Sequence, residues 1–452
     1  MPDAIKLVIV HGWSDTAASF DHIAERLIAS GLKLDVATIR LADYVSLNDT
    51  ITFADLREAM MTAWRNQGLP LDPRSVDVIV HSTGALVTRD WMTTYFTPAT
   101  NPINRLVMLA PANFGSPLAT MGRSLIGRIV KGFGSDLPFQ TGTQILKGLE
   151  IASPYSWELA KRDRFDPDNT WYGPGRVLCS VLVGTSGYTG ISALANKPGT
   201  DGTVRVSTAN LNPQLVTADF STDPLQPTFK SIPCNGRTAF LRIADENHGT
   251  IAQGGTVATT LGKIIQALGV TDATFDVFAD QWDAASAAAR DAVSDDDHAF
   301  AHGYQNTVVH LVDDQAQPVT DYIIEAYVPK AGADTSVASN IDDDATQYVQ
   351  EKIIADAHPW TDDNSYRALL FDCTRLKAKL IDPGRSMEIS VTAHPQLQDK
   401  SAGYRTFGYN DIGGILLDAS RMGQLFVPDR TLLLDMTIAR YQQDLFTFRP
   451  PH

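Results

Sequence analysis

The first 270 residues of the chain alternate short apolar runs with longer amphipathic stretches. The runs have strand length, and the stretches place apolar residues at the three- and four-residue spacing of helices. Strands that alternate with helices favour a mostly parallel sheet with helices on both faces. The predicted strands are residues 5–10, 35–41, 76–80, 106–110, 177–183 and 239–244, and the predicted helices are 19–29, 53–66, 85–95 and 256–268.

The pattern changes after residue 270, and a chain of 452 residues exceeds what one hydrophobic core usually spans. An alanine-rich stretch predicts a helix, and from residue 304 apolar residues alternate with polar ones, as in a small antiparallel β-sandwich. The predicted strands there are 306–312, 321–328, 367–373, 375–381 and 387–394. We therefore expect an α/β domain over 1–270, a helical linker over 271–300 and an acidic β-rich accessory domain over 301–452.

The formal charge of −15 is confined to the second part of the chain. Residues 1–270 hold 23 acidic and 23 basic side chains, whereas residues 271–452 hold 29 acidic and 14 basic ones. Phosphate backbones would repel such an acidic segment, so we expect no nucleic-acid partner. No apolar run approaches the roughly 18 residues of a membrane-spanning helix, so we expect no transmembrane segment.

The expectations about cellular location and bound metals rest on sequence patterns that are absent. The N-terminal stretch shows no Sec-type signal, and the three cysteines have no metal-like spacing, which favours a cytoplasmic protein. Export by a route without such a signal remains open. The acidic triplets at 295–297 and 342–344 are typical of solvated loops, and no glycine loop for phosphate is present. We expect neither a metal nor a cofactor.

Residues 77–84 read DVIVHSTG, an apolar strand followed by a serine and a predicted helix. A serine in a sharp strand-to-helix turn has its hydroxyl exposed at the carboxyl edge of the sheet, with a helix N-terminus behind it. Gly84 fits the requirement for a small residue two positions after Ser82, but Val80 replaces the usual glycine before it. The alternative is a serine that only caps the helix N-terminus, but such a cap does not need a preceding apolar strand. We therefore predict Ser82 as a nucleophile.

Two further segments, VIVHGW at 8–13 and LAPANFGSP at 109–117, stand in the order expected around such a turn. With residues 77–84 they resemble the lipase and esterase branch of the α/β-hydrolase superfamily. The resemblance covers residues 1–270 and does not reach the rest of the chain. It implies an α/β-hydrolase fold and serine-dependent cleavage of an acyl ester or lipid without a cofactor.

A serine hydroxyl needs a base, and histidine suits this role near neutral pH. The candidates in residues 1–270 are His11, His22, His81 and His248. His81 adjoins Ser82 in the chain, so its ring should point away from the hydroxyl. His11 belongs to the HG motif and His22 to an early helix. The resemblance places the base late in the chain, which selects His248.

The acid that orients the base is expected between the serine and the histidine. Residues 198–207 read PGTDGTVRVS and resemble the acid loop of lipases, which selects Asp201. Asp219 is the first alternative, and Asp245 is a weaker one because it lies close to His248 in sequence. An Asp-Gly pair is also common in plain turns.

The resemblance also implies an oxyanion hole and substrate contacts. Backbone N–H groups should meet the oxyanion, one from Thr83 and the second from Trp13. Contact with the substrate is expected from His11, Gly12 and Phe114.

Residues 116–170 form an insertion that a minimal fold of this class does not need. Apolar residues, among them Leu125 and Ile129, recur at helical spacing between residues 118 and 133, and a second such segment spans 144–151. In lipase-like enzymes an insertion here covers the active site, so Leu125 and Ile129 are expected to contact the acyl chain. The alternative is an ordinary scaffold helix.

The predicted function is therefore a carboxylic ester hydrolase, whether esterase, lipase or phospholipase, that forms an acyl-enzyme. Acyl transfer or amide cleavage by the same residues is the second hypothesis. Binding of a lipid or a protein partner by the C-terminal domain is the third. Because one fold serves many substrates, the sequence leaves the acyl chain length and the head group open.

Overall fold

The computed structural model describes residues 5–11, 18–44, 48–120, 142–190, 193, 196–224, 226–255, 258–294, 300–331, 340–393 and 415–439. The chain forms two compact units. The first consists of Met1–Pro213, Pro233–Tyr304 and Asp429–Thr431. The second consists of Gln214–Ile232, Gln305–Pro428 and Leu432–His452.

The first unit contains a six-stranded sheet in which every pair of neighbouring strands is parallel. Its strands are β1 (Ile5–His11), β2 (Leu34–Arg40), β3 (Val76–His81), β4 (Ile103–Leu109), β5 (Leu178–Gly184) and β8 (Ala239–Ile243). They lie in the order β2-β1-β3-β4-β5-β8. Each lies within a few residues of its predicted position, which confirms the parallel sheet.

The helices of the first unit are α1 (Ala18–Ala29), α2 (Phe53–Asn66), α3 (Gly84–Tyr95), α4 (Thr143–Leu149), α5 (Pro154–Asp163), α6 (Val206–Ala209), α7 (His248–Ala252), α8 (Ala258–Gly269) and α9 (Phe275–Asp291). Helix α9 occupies most of the stretch predicted as a linker. Its Phe275 and Trp282 are buried in one core with Leu178 and Ala239. The linker prediction therefore needs correction, because an alanine-rich pattern does not reveal what a helix packs against.

The insertion after β4 is helical where it is described. A 3₁₀ turn spans Pro117–Thr120, and residues 121–141, which include Leu125 and Ile129, lie outside the described residues. Helix α4 contacts α2, and α5 contacts α3. The segment at 144–151 is thus part of the scaffold. Among the helices of the described ranges, none has the length and apolar character needed to cross a bilayer.

The second unit contains two sheets. The larger has the order β11-β12-β9-β15-β6-β7 and the smaller β10-β13-β14. Their strands are β6 (Gln214–Asp219), β7 (Thr228–Pro233), β9 (Tyr304–Asp313), β10 (Tyr322–Tyr327), β11 (Ile354–Pro359), β12 (Tyr366–Asp372), β13 (Met387–Ala393), β14 (Ile415–Leu417) and β15 (Arg430–Ile438). Three short helices are α10 (Asp343–Tyr348), α11 (Cys373–Leu376) and α12 (Ala419–Leu425). Residues from both sheets share a core, as a sandwich requires.

Two details of this unit differ from the sequence predictions. Residues 214–232 were expected in the α/β domain, but β6 pairs in parallel with β15, from Gln214 beside Leu432 to Asp219 beside Thr437. Residues 375–381 were expected as a strand, but they continue α11 as a helical turn. Their apolar residues fit both periods, and the helical spacing of Leu376 and Leu380, both buried, prevails.

Candidate active site

Ser82 occupies the turn between β3 and α3. Its φ of +54° lies in the left-handed region that side chains other than glycine rarely adopt. The turn is held through its backbone, since the Ser82 N–H donates to the Leu109 carbonyl at 3.1 Å. The Ser82 carbonyl in turn accepts from the N–H groups of Ala85 and Ala112. The strained backbone is thus fixed by the end of β4 and by the first turn of α3.

His248 is the first residue of α7, a short helix in the loop after β8. The Asn247 side chain caps this helix by accepting hydrogen bonds from the N–H groups of Gly249 and Thr250. Nε2 of His248 lies 3.1 Å from Oγ of Ser82. The structure therefore brings together the predicted nucleophile and the predicted base, which are far apart in sequence.

Asp201 is fully buried beside His248. Its Oδ2 lies 3.0 Å from Nδ1 of His248, and its backbone carbonyl accepts from the His248 N–H at 3.0 Å. Its Oδ1 accepts from the N–H groups of Thr203 and Val204 at 2.9 and 2.7 Å. A carboxylate at Nδ1 selects the tautomer with the proton on that nitrogen, which leaves Nε2 as the acceptor facing Ser82.

The two alternative acids have other surroundings. Asp219 ends β6 in the second unit, where it is exposed and accepts hydrogen bonds from Ser221. Asp245 is exposed and has a φ of +62°. Asp201 is the only one of the three for which a bond to His248 is described.

The remaining predicted residues are only partly described. The N–H of Thr83 lies at the N-terminus of α3, where N–H groups have no intrahelical partner. Gly12 and Trp13 lie outside the described residues, and His11 is described only as the last residue of β1. Phe114 is 1% exposed, and its ring lies 5.8 Å from the guanidinium carbon of Arg89. Phe114 is thus packed in the interior, and its contact with a substrate stays a prediction.

The sequence did not predict the role of His81. Its ring is buried, and its Nε2 lies 3.1 Å from the carbonyl oxygen of His248. A carbonyl only accepts, so this nitrogen carries the proton. The rings of His81 and His248 are 4.5 Å apart. The residue before the nucleophile therefore holds the backbone of the base, and adjacency to Ser82 was the only sequence signal.

A second feature that the sequence did not predict is a buried ion pair behind α3. Nε and Nη2 of Arg89 donate to both carboxylate oxygens of Asp163, at 2.7 and 2.9 Å, and neither side chain is exposed. Burial alone would lower the pKa of Arg89, but the Asp163 carboxylate holds that pKa above its ordinary value. Nη1 also donates to the Asn113 carbonyl at 3.1 Å. The pair connects α3 to α5 and to the loop after β4.

Other reactive or acidic side chains in the described part of the chain have surroundings that do not suit catalysis or metal binding. Burial raises the pKa of the Cys179 thiol to about 12, so this cysteine stays protonated and is a poor nucleophile. Within the described ranges, no cluster of three or more histidine, cysteine or acidic side chains is suited to a metal ion. Asp342, from one acidic triplet, caps α10 by accepting from the Ala345 N–H.

Comparisons with known proteins found similarity among solved structures only. No protein-family model matches the sequence, and no match was found among curated proteins. Two solved structures of phospholipase PlaB from Legionella pneumophila are similar to this chain, and each comparison covers 99% of this chain and 96% of that one. One, in complex with thio-NAD, is 20% identical with a TM-score of 0.78, and the other is 22% identical with a TM-score of 0.79. Likeness at this level establishes a common fold.

Proposed function

Because the chain has the α/β-hydrolase fold, we propose that it is a serine hydrolase that cleaves carboxylic esters of lipids. In this proposal Ser82 is the nucleophile, His248 the base and Asp201 the acid. The observation that carries it is the line of hydrogen bonds from Ser82 Oγ to His248 at 3.1 Å and from His248 to Asp201 at 3.0 Å. The first distance permits proton transfer from Ser82 to His248, and the second permits Asp201 to orient the imidazole ring. Neither requires movement of the backbone.

The first half of the reaction forms an acyl-enzyme. Ser82 Oγ attacks the ester carbonyl carbon while its proton passes to Nε2 of His248. The Asp201 carboxylate stabilises the imidazolium through Nδ1, and the Thr83 N–H donates to the oxyanion. The carbon–oxygen bond to the leaving group then breaks, and His248 returns the proton to the departing alcohol.

The second half releases the acid. A water molecule gives a proton to His248 as its oxygen attacks the acyl carbon, and a second tetrahedral oxyanion forms. Its collapse breaks the bond to Ser82 Oγ, which takes the proton back from His248. The products are a carboxylic acid and the starting enzyme, so these steps require only the chain's own groups and water.

The proposed substrate is an acyl ester of a phospholipid or a related lipid. Support comes from the likeness over nearly the whole chain to a protein whose name is phospholipase. Residues 1–270, which contain Ser82, His248 and Asp201, hold equal numbers of acidic and basic side chains, which suits a zwitterionic or neutral lipid. The acyl chain length remains to be measured.

The test is hydrolysis of p-nitrophenyl esters from acetate to palmitate and release of fatty acid from phosphatidylcholine vesicles. Ser82→Ala is expected to lower kcat by up to about 10⁶-fold. Ser75→Ala, at the opposite end of β3, is the matched control and is expected to keep nearly full activity. Equal activity of wild type and Ser82→Ala would reject the proposed nucleophile. Activity on amides or acyl transfer without ester hydrolysis would favour the second hypothesis.

A further inference from the structure

A partly open cavity of about 480 Å³ lies between the two sheets of the second unit. One wall comes from the larger sheet, through β6, β9, β12 and β15, and the other from β10, β13 and β14 of the smaller sheet. Apolar side chains form most of the lining, for example Val309, Phe371, Val391, Leu432 and Met436. Sandwich interiors are normally packed to the density of organic crystals, so a space of this size between two sheets needs an explanation.

Two polar residues of the lining lie on a helix rather than on a strand. Arg421 and Gln424, one turn apart on α12, are exposed side chains that line the cavity. The Arg421 guanidinium makes one long contact, 3.5 Å to the Leu416 carbonyl, and no ion pair with a carboxylate is described for it. A guanidinium is well suited to a carboxylate ligand because it can bind both oxygens.

We propose that this cavity binds one long-chain fatty carboxylate, with its chain between the sheets and its carboxylate at Arg421. The volume lies in the lower half of the roughly 300–1,000 Å³ range of ligand pockets, which suits one chain better than a lipid with two. Burial of the chain removes apolar surface of both ligand and protein from water. The proposal does not depend on hydrolysis at Ser82 and concerns a different unit of the chain.

Binding is tested by calorimetric titration of delipidated full-length protein with fatty acids from octanoate to palmitate. The Ser82→Ala variant is used throughout, so that no ester chemistry interferes. Affinity is expected to rise about fourfold for each methylene that enters the cavity. Palmitoyl lysophosphatidylcholine is the comparison ligand, and it is expected to bind more weakly because it offers no carboxylate.

Two variants locate the ligand. Ala218→Phe fills the cavity from β6 and is expected to abolish palmitate binding, with folding checked by circular dichroism. Arg421→Gln is expected to weaken palmitate binding about tenfold or more, because a charge-assisted hydrogen bond is lost. The matched control Lys352→Gln removes an exposed cation outside the cavity lining and should leave binding unchanged.

The outcomes separate this proposal from the proposed hydrolysis. No palmitate binding, or binding that survives Ala218→Phe and Arg421→Gln together, would overturn the fatty acid site. Tighter binding of the lysolipid would overturn the assignment of a carboxylate ligand. Ester hydrolysis by the wild type is measured separately. Its presence or absence does not decide whether the cavity binds a fatty acid.

Discussion

At the scale of single residues, the sequence singled out Ser82, His248 and Asp201 because each follows a predicted strand and carries a local sequence signature. His248 lies within hydrogen-bond distance of Ser82 through Nε2 and of Asp201 through Nδ1. The contacts of the His81 ring and of Phe114 were not predicted, since they are made with residues far away in the sequence. Local patterns report which edge of a sheet a residue occupies but not which carbonyl or ring its side chain meets.

His81 gives a prediction at this scale. His81→Leu removes the hydrogen bond from the His81 ring to the His248 carbonyl, so the base is expected to shift relative to Ser82. We expect kcat for a p-nitrophenyl ester to fall about 10- to 100-fold with little change in KM, because His81 positions the base and is not proposed to contact substrate.

His81→Gln is the matched variant, because its side-chain amide can donate to the same carbonyl. It is expected to recover a large part of kcat. An equal fall in kcat in both variants, or a change in KM alone, would contradict the positioning role of His81.

At the scale of elements, the sequence predicted the six strands of the parallel sheet and helices α1, α2, α3 and α8 to within a few residues, but it did not predict α5, α6 or α7. Buried parallel strands are continuous apolar runs, and amphipathic helices stand between them. Helix α2 also has a local start signal, because Thr52 and Asp55 form a capping box. The predictions of a linker at 271–300 and of a strand at 375–381 were wrong. The burial of α9 and of Leu376 depends on partners that are distant in sequence.

The ion pair of Arg89 and Asp163 gives a prediction at this scale. Arg89→Met leaves a buried carboxylate unpaired, so the free energy of unfolding is expected to fall by about 3–5 kcal/mol. Urea unfolding followed by tryptophan fluorescence measures the change.

Two further variants serve as its control. Arg89→Met with Asp163→Leu removes both charges and is expected to recover part of the loss. Lys161→Met breaks an exposed pair with Glu158 on α5 and should cost less than about 1 kcal/mol. If Arg89→Met were no more destabilising than Lys161→Met, the pair would not hold α3 in place.

At the scale of the whole molecule, the sequence predicted two parts but not their boundaries. The chain leaves the first unit at Pro213, contributes β6 and β7 to the second, and returns at Pro233. No local sequence pattern marks the passage of residues 214–232 into the second unit, because β6 pairs with β15 more than 200 residues later. The fold is nevertheless similar over 99% of the chain to a protein only 22% identical, since apolar patterning tolerates extensive substitution. A cytoplasmic location stays a prediction.

The most direct test of the proposed triad is covalent labelling with a long-chain fluorophosphonate. Ser82 Oγ is expected to attack phosphorus and expel fluoride, which leaves one adduct that peptide mass spectrometry maps to Ser82. Labelling should vanish in Ser82→Ala and be greatly slowed in His248→Ala, because the base is needed to activate the hydroxyl. An adduct on another residue, or undiminished labelling of Ser82→Ala, would contradict the account.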